Sequence, residues 1–204
     1  MTTFVECVMT CAVCGHDTEV TIMGSTNQFG YPDLDLRPPE MARSTISMWS
    51  HECPSCGYCA PNLEEAEPQI RTIVQSDAFG HFRAGLEDLD PLARAFRTEA
   101  FIAAELLHYA EAFHHTLHEA WAHDDAGDTV RASAARLNAL DLLNLVHQEG
   151  GMVFEEHGSD TVMAADLLRR AGEFERAAQV CSCLLYTSPS PRDQREHLVC
   201  RLLL

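Results

Sequence analysis

The chain has 204 residues with 31 acidic and 14 basic side chains, a formal net charge of −17. All 14 basic residues are arginine, which excludes lysine chemistry such as a Walker-type phosphate loop or a Schiff base. The apolar share of 46% fits one or two globular domains, and no run of 18 apolar residues predicts a membrane span.

Residues 1–61 are rich in Cys, Pro, Gly, Ser and Thr. The start, Met1-Thr-Thr-Phe-Val-Glu-Cys7, lacks a basic segment followed by a long apolar one, so no signal peptide is expected. Nine cysteines without an export signal point to metal binding in the cytoplasm rather than to a disulfide framework. Two units repeat the same pattern: Cys11-Ala-Val-Cys14-Gly15 and Cys53-Pro-Ser-Cys56-Gly57. Each is a tight turn presenting two thiolates, and two such turns complete a tetrahedral four-cysteine site for one structural Zn2+. The glycine after each second cysteine supplies the positive φ that lets backbone N–H groups face the sulfurs. Cys7, Cys59 and His51 are nearby spare donors, although Cys11, Cys14, Cys53 and Cys56 already fill a tetrahedral shell.

Thirty-eight residues separate Cys14 from Cys53. Glu19–Gly24 and Thr45–His51 read as strands, giving the knuckle, strand, loop, strand, knuckle order of a zinc ribbon. The loop between them, 27–40, is too proline-rich for a regular element. It is expected to pack on its neighbour through the apolar anchors Phe29, Tyr31, Leu34 and Leu36, with which Asp33 and Asp35 alternate. Segment 1–61 carries two arginines against seven acids, a balance that repels nucleic acid. So small an apolar content makes the metal a folding requirement.

From Asn62 the period becomes helical. A helix is predicted over Glu64–Val74 with Asn62 as N-cap, starting later if Pro68 sits in the first turn. One long helix is predicted from Pro91 to about Asp124, then Asp128–His147, Met163–Ala171 and Phe174 to about Cys183. Ala126-Gly127 and Ala171-Gly172 each join two helices, with an insertion around Gly150-Gly151. This pairing resembles degenerate tetratricopeptide-type repeats over roughly 100–183. Leu184–Asp193 looks like a translated sequencing adaptor, so 184–204 is expected to be a non-native tail.

The predicted long helix carries a strip of metal-type donors, Glu105, His108, Glu111 and His115, continuing to His118 and Glu119. A helical-bundle metalloenzyme would use such a strip, but a second Glu-x-x-His on another helix is missing, and His147, Glu149, Glu155 and His157 are the donors left. The plainer expectation is a solvated face of Glu–His pairs. No Gly-x-Ser-x-Gly, His-Glu-x-x-His or glycine-rich nucleotide loop occurs, so no catalytic residue is assigned.

These features together give an α+β, mainly α chain: a zinc ribbon over 1–61 followed by a tetratricopeptide-like helical array over 62–183. The knuckle cysteines and the Phe29-Gly-Tyr-Pro-Asp-Leu-Asp-Leu-Arg-Pro38 loop make it similar to uncharacterised bacterial proteins that join a zinc ribbon to such helices. That resemblance implies a fold and no activity. The expected function is a zinc-binding interaction module whose helical groove takes a protein or peptide, with nucleic acid disfavoured and no membrane association.

Overall fold

The computed structural model of the chain describes residues 2–156 and 158–187, with side chains to Ser182. His157 and the tail from 188 to 204 lie outside the described residues. Strands β1 (Thr3–Thr10) and β2 (Asp17–Ser25) form an antiparallel hairpin around the first knuckle, with Cys7 opposite Val20 and Thr10 opposite Asp17. The expected strand 19–24 is thus present, but its partner precedes the knuckle. β1 is built from Phe, Val and Thr, residues that fit a pleated surface.

Thr45–His51 is not the expected strand. Arg43–Met48 forms a 3-10 helix, and only His51–Glu52 (β3) is extended, pairing with Cys59–Ala60 (β4) around the second knuckle. Local side-chain bonds account for the difference. Thr45 Oγ1 donates to Ala42 O at 2.7 Å and accepts from Trp49 Nε1 at 3.0 Å, bonds that compete with a strand ladder. Each knuckle therefore sits at the tip of its own hairpin.

Helix α1 (Pro68–Val74) starts at its proline, where a missing N–H costs nothing. Asn62 is not its cap; it closes an earlier turn by accepting from Glu64 N at 3.1 Å. Helix α2 (Asp77–Ala84), which the periodicity did not reveal, is capped by Ser76 Oγ accepting from Phe79 N at 3.1 Å. The expected long helix is two, α3 (Pro91–Glu105) and α4 (Tyr109–Asp125). Leu107 takes a positive φ of 63°, and Leu107 N and His108 N return to the carbonyls of Ala104 and Ala103. A helix normally ends this way at glycine, so a leucine hides the stop. Helix α5 (Thr129–Gln148) is capped by Asp128 as expected. Helices α6 (Ser159–Arg170) and α7 (Phe174–Thr187) follow, the last running beyond Cys183. The insertion between α5 and α6 is pinned by Asp160, which accepts from Val153 N at 3.1 Å and Phe154 N at 2.9 Å.

From α3 to α7 each helix packs on the next in chain order. One core joins them through Phe96, Phe113, Leu117, Trp121, Leu143 and Leu167, with Ile46 of the 3-10 helix. A second core lies beneath the knuckles, where Val13, Tyr58 and Leu63 meet Ile70, Val74 and Phe79 of α1 and α2 and Ile102 of α3. Helix α3 contributes to both.

The 27–40 loop does dock on the helices, but with the opposite side chains to those expected. Phe29, Tyr31 and Leu36 are exposed, whereas Asp35 and Arg37 are buried. Asp35 Oδ2 accepts from Trp121 Nε1 at 3.0 Å, and Arg37 Nη2 reaches both oxygens of Asp125 at 2.7 and 2.6 Å. Arg170 approaches Asp35 at 3.4 Å. Waiting donors and a guanidinium make burial of these charges possible, and apolar packing was not what the helices offered at that surface.

Candidate metal centre and the adjoining groove

The two knuckles share one backbone pattern. Cys11 N donates to His16 O at 2.9 Å and Gly15 N to Cys11 O at 2.7 Å; Cys53 N donates to Tyr58 O at 2.8 Å and Gly57 N to Cys53 O at 2.9 Å. Gly15 and Gly57 adopt φ of 78° and 73°, as the turn requires. The hairpins then bring the turns face to face. Sγ of Cys11 lies 3.8 Å from that of Cys56, and Sγ of Cys14 lies 3.5 Å from that of Cys53. All four sulfurs fall within 4.8 Å of one another.

Four sulfurs around one tetrahedral ion with metal–sulfur bonds of about 2.3 Å would be separated by about 3.8 Å. The 3.8 and 3.5 Å separations lie near that figure and are far too long for a disulfide, whose sulfurs are about 2.05 Å apart. An all-thiolate set suits a soft or borderline transition metal and not calcium or magnesium. Cys14 is the exposed member and Cys11 and Cys53 are buried. The slight desolvation of Cys14 is outweighed by the His16 backbone and the neighbouring thiols, which hold its pKa down at about 7. Burial pushes the Cys11 and Cys56 thiols up. Divalent metal would displace the remaining protons.

The spare donors stay outside this group. Cys59 is buried in β4 with its thiol 3.5 Å from Gly57 O. Cys7 packs against the lower core from β1. His51 is buried in β3, and its Nε2 has no hydrogen-bond partner.

Further contacts tie the knuckles to the helices. Ala12 N, between the first two cysteines, donates to Leu63 O at 2.8 Å, and Arg71 Nη2 of α1 donates to Ala12 O at 3.1 Å. Glu52 of β3 is held by Arg83 of α2 and by Arg94 of α3, the latter at 3.2 Å. Tyr58, next to the second knuckle, donates its hydroxyl to Glu65 O at 2.7 Å.

The histidine strip is rearranged by the break at Leu107. Glu105 ends α3 as an exposed residue, and His108 occupies the turn before α4. His108 and His115 flank Glu111 at 3.5 and 3.6 Å. Among the described residues, only the four cysteines converge as metal ligands, so Glu105, His108, Glu111 and His115 do not assemble into a second centre. Nor is the strip a uniformly solvated face. His115 Nδ1 lies 2.8 Å from Oε2 of buried Glu99, and buried Glu119 lies 2.8 Å from Arg97 and 3.4 Å from His123. Glu99 and Arg97 come from α3, which packs against α4 along this line; one sequence-adjacent run could not show that partner. Glu99 is the residue that sequence reasoning missed, because nothing in an α3 of alternating small residues marks one carboxylate as buried.

Between the knuckles and α3–α4 runs an open groove of about 680 Å³. Ala12, Tyr58 and Ala60 form its knuckle side, and Ile102, Ala103 and Leu106 its helix side. Glu64, Glu65, Glu67, Glu99 and Glu111 also line it, with His115 the sole basic group among the lining residues. No helix among the described residues is long and apolar enough to cross a membrane.

Compared with family models, curated proteins and solved structures, the chain matches none.

Proposed function

We propose that the chain is a zinc-binding protein-interaction module: one structural Zn2+ on Cys11, Cys14, Cys53 and Cys56 stiffens a ribbon, and tetratricopeptide-like helices present a surface to a partner protein or peptide in the cytoplasm. The observation that carries the reading is the convergence of four sulfurs within 4.8 Å of one another, with the first turn bonded to Leu63 O and to Arg71 of α1. Sequential packing of α3 to α7 supports the helical half, since stacked helix pairs build extended binding faces. A charge of −17 opposes a nucleic-acid role. The scattered donors along Glu105–His115 give the bundle-metalloenzyme alternative no centre to work from.

Elemental analysis of the purified chain tests the metal half. One zinc per chain, lost in Cys14→Ser, is the expected result; a second metal lost in His115→Ala would transfer the case to the enzyme. Cross-linking followed by mass spectrometry of a partner captured with the intact chain tests the other half. Cross-links on α3–α7 are expected, and cross-links confined to the ribbon would overturn the assignment of the binding face to the helices.

A further inference from the structure

The groove beside the knuckles combines three properties that together specify a ligand. Its charge is one-sided: five glutamates line it against one histidine, in a chain without lysine. Its walls are apolar, from Tyr58, Pro61, Ile70, Ile102 and Leu106. Its floor holds a carboxylate with unused capacity. Glu99 has a side chain only 3% exposed, and one of its two oxygens is left without a donor. His115 Nδ1 faces Oε2 across 2.8 Å as its ion-pair partner, whereas Oε1 has no hydrogen-bond partner. A buried carboxylate oxygen left without a donor is costly, so a donor delivered from outside would be strongly favoured.

We propose that this groove binds an arginine or lysine side chain presented by a basic peptide, with the cationic head beside Glu99 and Glu111 and the methylene stem along the apolar wall. Arginine and lysine are the residues that bury an aliphatic stem while extending a charge, which matches an apolar wall ending in carboxylates. Glu64, Glu65 and Glu67 at the rim would favour a ligand carrying further positive charge and speed its encounter. A divalent cation fits less well, because among the described residues the groove's glutamates and His115 do not converge as ligands. The assignment rests on the interaction-module reading and names the chemistry of the partner.

The test is an NMR titration of the zinc-loaded full chain at physiological salt with the capped peptide Ala-Ala-Arg-Ala-Ala, and with the same peptide carrying neutral citrulline. Saturable shifts at Ala60, Ile102 and Ala103 are expected with arginine and not with citrulline. Glu111→Gln, a change at an exposed position, should weaken binding about fivefold, the size of one screened ion pair. Glu87→Gln, which removes the same charge outside the groove, should leave the affinity unchanged. Glu99→Gln should weaken it further, and an unaltered spectrum of the free variant away from the groove shows that it folds. Equal binding of the citrulline peptide, equal loss in Glu87→Gln, or no saturable shift in the groove would overturn the proposal. If the peptide fails while a captured partner still cross-links to the helices, the groove assignment falls and the module reading stands.

Discussion

Asp35 shows how much one residue can carry. It is fully buried, and its carboxylate reaches both Trp121 of α4 and Arg170 of α6, so one side chain of the long loop bridges two helices. Trp121→Phe keeps most of the ring but leaves Asp35 Oδ2 without its donor. The expected cost is about 1–3 kcal/mol, read from denaturant midpoints, against which Leu36→Ala at an exposed loop position serves as a mild comparison. Leu107 gives the opposite sign. It is 64% exposed and sits at φ 63°, where a Cβ is penalised by about 1–2 kcal/mol. Leu107→Gly should therefore stabilise the chain by roughly 0.5–1 kcal/mol, with thermal melting as the check. His115 carries a pH signature. Burial alone would lower its pKa, but the negative charges of Glu111 and Glu99 beside the ring favour its protonated form and push it up to about 9. A folded pKa above the unfolded value of 6.5 means that this stabilisation is complete below pH 6.5 and is lost as pH rises through 9. Denaturation midpoints at the two ends of that window should fall for the native chain and stay nearly level for His115→Gln. His118 is the contrast: burial against Trp49, Phe96 and Trp121 lowers its pKa to about 3, so it stays neutral in the fold.

At the level of elements, the two knuckles were readable because a CxxCG turn states its ligands and its backbone in five residues. Gly15 and Gly57 share a conformation but not surroundings. A Cβ on Gly15 would meet nothing within 4 Å, whereas one on Gly57 would lie 3.2 Å from Arg83 Nε. Gly15→Ala should cost about 1 kcal/mol through φ alone, and Gly57→Ala more, because it also presses on the Arg83–Glu52 pair; metal retention against a chelator series would rank the two. Helix α5 was equally legible, since Asp128 after Ala126-Gly127 is a stop followed by a cap. Three features were hidden for physical reasons. The α3–α4 break uses leucine where sequence reasoning looks for glycine. The 3-10 helix is held by Thr45 and Trp49 side-chain bonds that resemble strand composition. The loop buries its charges, because Trp121 and Asp125 await them from more than eighty residues away. The site followed the same division: the four sulfurs could be named from spacing, while Glu99 needed the fold.

Across the whole molecule, two cores meet in α3, and only one of them touches the metal turns. Structural zinc in such sites contributes on the order of 10–16 kcal/mol of apparent binding energy, more than a core this size can replace. Chelation is therefore expected to open the β hairpins and expose amides around Leu63, Ile70 and Phe79, while those around Phe113, Leu117 and Leu143 remain protected. Hydrogen exchange with and without chelator would show it, and uniform loss of protection would mean that the two cores unfold as one. Ala12 gives this division a further meaning. It belongs to the first metal turn, bonds to Leu63 and Arg71, and also lines the groove. On the proposed function, removing the metal is expected to disturb Ala12 and so weaken peptide binding in the groove, and the arginine-peptide titration repeated after chelation would read it, unchanged affinity meaning that the two sites are independent. In that case the metal turn would govern recognition as well as folding.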